Sequence, residues 1–275
     1  MASPPAKPFD IRDHISGLGA NAAGVSNVVM QLSWPAVGYG VKDSKVHSGS
    51  AMRHPVKRAR TTFTFLAVSL LGDERDRQVF RKAVNGQHAQ VRSDADSPVQ
   101  YSAMDPRLQL WVAACLYYGT VDINERLHGP LDDATADALY EHCARFGTSL
   151  QVRQDMWPAD RAAFADYWEQ SLQEVHVDDA VRAYLLSLIR YENAPPWVAR
   201  LLAKRNEFLT TGFLPPMFRE QLGLEWDDAR EAKFARHLAR LARAEKVLPT
   251  PLRLFPFNWL LHDMRRRHRK GIPLV

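Results

Sequence analysis

His88, together with Arg58 and Thr62 on a second segment, has the residue types and spacing best suited to chemistry. In DRQVFRKAVNGQHAQVR, Phe80, Val84, His88 and Val91 recur at i, i+4, i+8 and i+11, which is one face of a 3.6-residue helix. A histidine on that apolar stripe faces a core. There the imidazole loses water and needs a carbonyl, a carboxylate or a metal, and neutral imidazole is the commonest metal ligand among side chains. A core histidine bonded to protein gives the same pattern. In HPVKRARTTFTFLAVSLLG, Arg58, Thr62 and Leu66 fall on one face at i, i+4 and i+8. A guanidinium one turn from a hydroxyl can hold an anion, a haem propionate or iron-bound oxygen, because arginine keeps its charge and offers several donors. An arginine snorkelling to the surface, beside a threonine bonded to its own turn, is the structural alternative.

Other candidates carry less. Cys115, in YSAMDPRLQLWVAACLYYG, sits on a helix that is apolar around most of its circumference, and it reads as a small buried hydrophobe rather than a thiolate ligand. Glu125-x-x-His128 has the spacing of half a di-iron carboxylate site, but no second copy follows and Gly129-Pro130 ends the segment. HExxH, a glycine-rich phosphate loop and a GxSxG elbow are all absent, which removes most common hydrolases, kinases and dehydrogenases.

Helices must position these residues. Helical periodicity dominates and strand alternation is nearly absent, which predicts an all-α fold. The pattern predicts helices over 20–33, 35–46, 54–71, 73–91, 105–119, 132–147, 159–173, 177–191, 195–211, 227–246 and 256–269. Asp105-Pro106 and Trp157-Pro158 open two of them, and Gly72 closes another. At 275 residues, 46% hydrophobic and 24% charged, the chain is long enough for one large domain with an enclosed ligand. The proline-rich start MASPPAKPFD lacks the apolar stretch of a signal peptide, so 1–12 reads as a disordered leader and 13–275 as a single helical domain of a cytoplasmic protein. Two cysteines, Cys115 and Cys143, agree with a reducing compartment. The net charge of +5 is uneven: residues 229–275 hold 12 Lys/Arg against 3 Asp/Glu. The basic C-terminal tail RRRHRKG fits a solvated helix end, or peripheral contact with an anionic membrane. Nucleic acid is disfavoured because no aromatics alternate with the basic residues.

The ordered run QLSWPAVGYGVKDS, HPVKRARTTFTFL, LLGDERDRQVFRKAVNGQHAQV, YSAMDPRLQLWVAACL and GFLPPMFREQLGL resembles the family of the latex-clearing protein (rubber oxygenase) and the mycophenolic acid pathway oxygenase, over roughly residues 25–255. The resemblance implies a globin-like helical domain enclosing a non-covalent b-type haem, with His88 as the proximal iron ligand and Arg58 and Thr62 on the other side of the haem. Thr61 stands where the latex-clearing protein has a lysine, so an endogenous lysine ligand is not expected. The family's catalytic acid falls at Asp43, Trp111 is expected beside the cofactor, and Ala113 replaces a histidine found in many members. The implied activity is a haem b-dependent oxygenase or oxidase, with dioxygen as co-substrate. It acts on a hydrophobic small molecule, by oxidative cleavage of a C=C bond in an isoprenoid-like chain. A haem-binding sensor or carrier without turnover is one alternative, and a helical interaction protein with a basic docking tail is another.

Overall fold

A computed structural model describes residues 8–46 and 49–275. Among the described residues the chain is all-helical, with one isolated antiparallel bridge, Arg92 to Ser102, and no strand. The helices are α1 (Gly17–Leu32), α2 (Pro35–Lys42), α3 (Pro55–Leu71), α4 (Glu74–His88), α5 (Pro106–His128), α6 (Asp133–Cys143), α7 (Arg145–Thr148), α8 (Arg161–Leu172), α9 (Asp179–Ile189), α10 (Pro196–Phe213), α11 (Pro216–Leu222), α12 (Asp228–Val247), α13 (Thr250–Arg253) and α14 (Phe257–Arg269). Their starts have local causes. Ser16, Asp73, Asp105, Asp132, Asp160, Asp178 and Asp227 each accept a hydrogen bond from a first-turn N–H that the helix leaves unpaired. Of the expected leader, residues 1–7 lie outside the described residues, and Ile11 is buried in a 3-10 turn, Ile11–Asp13. No helix among the described residues is long and apolar enough to cross a membrane.

The central element is α5. Its N-terminal half supplies Leu110 and Ala114 to one core cluster and Trp111 and Cys115 to a second, while Leu127 near its end joins a third. A helix that faces several cores has little amphipathic contrast, which is why its circumference reads apolar in the sequence. It also runs further than periodicity suggests, through Gly119 to His128. Gly119 is a point of close approach rather than a stop: a Cβ there would lie 2.4 Å from the Asn27 amide nitrogen, which donates to the Cys115 carbonyl at 2.6 Å. The helix ends at Gly129, whose φ of +90° suits a residue without a Cβ.

Around this spine, α1 packs on α5 and α10, α2 on α1 and α9, and α14 on α3. At the centre Trp111 is fully buried and stacked between Trp34 and Trp168, at ring separations of 4.8 and 5.3 Å. Its indole N–H donates to the Gln31 carbonyl at 3.0 Å. Large rings with satisfied donors fix how α1, α5 and α8 meet.

Candidate functional site

The ends of α1, α2, α3 and α4 and the start of α5 leave a cavity with about 1360 Å³ of atom-free space, its mouth included. Its wall is largely aliphatic and aromatic: Val37 and Val41 from α2, Phe65 from α3, Val84 from α4 and Val112 from α5 all face it. Among the described residues no Asp or Glu side chain borders it. Against that apolar background stand a few polar groups, and three of them are His88, Arg58 and Thr61.

His88 is the last residue of α4. A chain of hydrogen bonds steadies this end of the helix: Gln151 donates from its side chain to Asn85 at 2.6 Å and from its backbone to Gln109 of α5 at 2.8 Å. Nδ1 of His88 is buried without a hydrogen-bond partner. Burial, and secondarily the charge of Arg58, push the imidazole pKa down to about 4, so the ring is neutral at physiological pH. A neutral imidazole with free bonding capacity is in the state that a metal takes as a ligand.

Arg58 retains accessible surface and yet is strongly desolvated. Both hold because it borders the cavity, where a water-sized sphere reaches it although protein surrounds it. Desolvation lowers its pKa, with Tyr184 opposing. No carboxylate or carbonyl partners its guanidinium among the described residues. A cation held in an apolar cavity without a counter-ion is costly, and an anionic ligand would relieve that cost.

The cavity face of α3 carries Arg58, Thr61 and Phe65, at i, i+3 and i+7. The expected face at 58, 62 and 66 is therefore rotated by part of a turn, and Thr62 is not on the wall. Leu66 instead packs against the core shared with α14. Asp43 caps the C-terminus of α2, is exposed and pairs with Lys42 at 2.6 Å, outside the wall. Trp111 lies in the aromatic stack behind the wall, which its neighbours Leu108 and Val112 reach. Ala113 is fully buried in the core. The structure thus brings His88, Arg58 and Thr61 together and leaves Thr62, Asp43 and Trp111 apart from them.

Sequence reasoning missed Lys57, Tyr101 and Gln109, which also border the cavity. Lys57 stands one turn before Thr61 on the same helix, a placement the helical repeat alone would have offered. Tyr101 arrives on an irregular segment that no periodicity marks. Neither cysteine takes part: Cys115 and Cys143 are buried free thiols whose pKa values burial raises. Among the described residues no group of three or more His, Cys, Asp or Glu could hold a bare metal ion.

The sequence pattern of the family described as ER-bound oxygenase mpaB/B'/Rubber oxygenase, catalytic domain, matches residues 11–244. An uncharacterized protein of Mycobacterium bovis and one of Mycobacterium tuberculosis are similar to this chain. Each is 49% identical over 251 residues, which cover 91% of this chain and 98% of the relative. No solved structure matches.

Proposed function

From the premise that this chain belongs to the family of ER-bound oxygenase mpaB/B' and rubber oxygenase catalytic domains, we propose that it is a haem b-dependent oxygenase working in the cavity walled by His88 and Arg58. The observation that carries this reading is a neutral, unpartnered imidazole and an unpaired guanidinium facing one apolar space. The donor set fits the cofactor. A single imidazole is too little to hold a bare zinc ion, which takes three or more protein ligands, whereas His88 alone would be enough to hold a haem through its iron. Arg58 would pair with an anionic group such as a propionate.

When bound, a haem supplies the redox centre for chemistry with dioxygen. The chain's own residues do the rest. His88 would hold the cofactor through its neutral imidazole. Arg58 supplies fixed positive charge in a low-dielectric space, where it acts more strongly than in water. Thr61 adds a hydroxyl one turn away. The apolar wall excludes water and favours a hydrophobic substrate. The reaction comes from the family resemblance alone: an isoprenoid-like chain cleaved at a C=C bond, each carbon taking one oxygen atom of dioxygen. A globin-like helical arrangement goes with the same reading. For Asp43 to act as base, its carboxylate would have to leave Lys42 and reach the wall.

The absence of an acidic side chain from the described wall favours a second reading, a haem-binding carrier or sensor without turnover. Two measurements decide. The purified protein should show a Soret band that His88→Ala removes while helicity is retained, and hydrophobic candidate substrates should drive oxygen uptake. A Soret band without uptake supports the carrier; no band in the parent protein overturns both.

A further inference from the structure

The expected docking tail is largely occupied. Arg265 binds Asp76 at 2.6 Å, and Arg266 and Arg267 bind Asp263 at 2.6 and 2.8 Å. Cations free of carboxylate partners lie elsewhere, and one group of them adjoins the cavity. The segment 49–58 has two sides. Gly49, Ser50, Ala51, Lys57 and Arg58 border the cavity, while Met52 and Val56 point outward, Val56 being 82% exposed. This segment is joined to the α9–α10 connection, because the Asn193 amide donates to the Ala51 carbonyl at 2.9 Å. Directly after that connection α10 exposes Trp197 (65%) and Leu201 (71%), one turn apart on the same face. Between them and just beyond lie Arg200, Lys204 and Arg205, exposed and without a carboxylate partner among the described residues. From 190 to 205 the chain has four Lys/Arg and one acid, Glu192.

An exposed tryptophan and aliphatic residues ringed by unpaired cations form the pattern that seats a protein at a lipid headgroup boundary, where the ring partitions into the interface and the cations meet anionic lipid. We propose that the surface formed by Met52, Val56, Trp197 and Leu201, with Arg200 and Lys204, docks on an anionic bilayer and sets the cavity against it. The occupant is chosen by charge: four cations against one acid suit a negatively charged surface. The place is chosen by continuity, since a substrate dissolved in lipid would pass from the bilayer to the wall at 49–58 without crossing water. This deepens the reading that the cavity takes a hydrophobic substrate and rests on it. The two can fail separately, because docking is read without cofactor or turnover.

A second exposed apolar corner, Leu252, Phe255 and Trp259, serves as the comparison surface. The full-length protein is spun down with vesicles of phosphatidylcholine alone and with vesicles of phosphatidylcholine mixed with phosphatidylglycerol. Binding is expected only to the mixed vesicles and should weaken with salt. Arg200→Glu/Lys204→Glu should lower it about 25-fold or more, at about fivefold for each cation near an anionic surface. Trp197→Ala/Leu201→Ala should lower it about tenfold. Leu252→Ala/Trp259→Ala and Arg269→Glu/Lys270→Glu should change it less than about threefold, with far-ultraviolet circular dichroism confirming that every variant is folded. The proposal is overturned if the parent protein ignores the mixed vesicles. It is equally overturned if the comparison variants, and not the α10 variants, abolish binding. A concentration-dependent dimer that Trp197→Ala/Leu201→Ala dissolves, in a protein that binds no vesicles, would assign the surface to a second copy of the chain.

Discussion

The two sides of α3 treat charge in opposite ways. Toward α14, Arg60 lies 3.9 Å from Asp263 and also donates to the Leu274 carbonyl, and Asp263 is further held by Arg266 and Arg267. Asp76 of α4 completes this side by accepting from Arg265 and from the backbone of Asp73. Toward the cavity, Arg58 and the His88 imidazole have no such partners. Charges completed within the fold hold helices together. Those left incomplete in an apolar space cost stability in the empty protein and remain available to a ligand, the usual trade between stability and function.

The strongest way to break the contrast is His88→Ala, which should abolish the Soret absorption of the purified protein and leave it helical. Unchanged haem content in this variant would sink the ligand assignment. The empty protein should also report the burial of His88 through pH. Its folded pKa of about 4 lies below the ordinary histidine value, so the unfolded chain binds the proton more readily. Stability is therefore fully present above about pH 6.5 and falls as pH drops toward 4, by about 2 to 3 kcal/mol at pH 4. Apo His88→Ala should lack that part of the decline in urea melts across this window.

The paired side should lose stability in the same sense but in a lower window. Asp263→Ala strips a mostly buried carboxylate from three arginines, Arg60, Arg266 and Arg267, and should cost about 2 to 3 kcal/mol, less than a fully buried pair because the arginines are partly solvated. Its effect on the haem spectrum should be nil. Burial pushes the Asp76 and Asp263 carboxyls up, but the hydrogen bonds and charges of Arg265, Arg266 and Arg267 outweigh it and hold both below the ordinary value. Their contribution is thus present above about pH 4 and lost as pH falls through the lowered values. Melts of parent and variants at pH 7, 5 and 3 separate the two sides: the part of the loss between 6.5 and 4 that His88→Ala removes belongs to His88, and the part below 4 that Asp263→Ala removes belongs to Asp263. A loss of cofactor from Asp263→Ala at unchanged stability would reverse the assignment of the two faces.

This contrast was only half legible in the sequence. Periodicity found the longer helices because apolar stripes and acid caps are local signals. It passed over α11 and α13, which at seven and four residues are too short to show a repeat. His88 and Arg58 stood out because a titratable group on an apolar stripe needs a partner. The face of α3 was set one residue off, since i+3 and i+4 steps fit one helix equally well and only packing against α14 fixes its rotation. Arg265 read as free because Asp76, which engages it, lies 189 positions away in the chain, whereas Asp263, three and four residues before Arg266 and Arg267, was a local partner that the reading of the tail passed over.

Arg58→Ala sharpens the comparison more gently. If the guanidinium is unpaired in the empty protein, its removal should change stability by less than about 1 kcal/mol, while retention of haem weakens roughly tenfold or more for the loss of a charge-assisted hydrogen bond. Thr61→Val should shift the ferric spectrum with a smaller effect on retention. A drop of several kcal/mol with a parental spectrum in Arg58→Ala would make the arginine structural.

The smallest effect is expected at Lys57. On the resemblance to the latex-clearing protein, Thr61 stands where that protein has a lysine and has no amine, so the resting ferric protein should lack lysine ligation and admit imidazole without displacing an amine. Lys57, however, borders the same cavity one turn earlier on α3. Its side chain is long enough to make it the only wall residue able to supply an amine among those described. Electron paramagnetic resonance of the ferric protein, with an imidazole titration, compares the parent with Lys57→Ala. The expected result is the same resting spectrum and an imidazole affinity within about twofold, because Thr61, and not Lys57, stands at the lysine's position. A low-spin resting species with histidine and lysine character that Lys57→Ala abolishes would give Lys57 the place Thr61 leaves open. The cavity side of α3 would then, like the other, carry a basic side chain whose bonding is completed, by the cofactor rather than by a carboxylate.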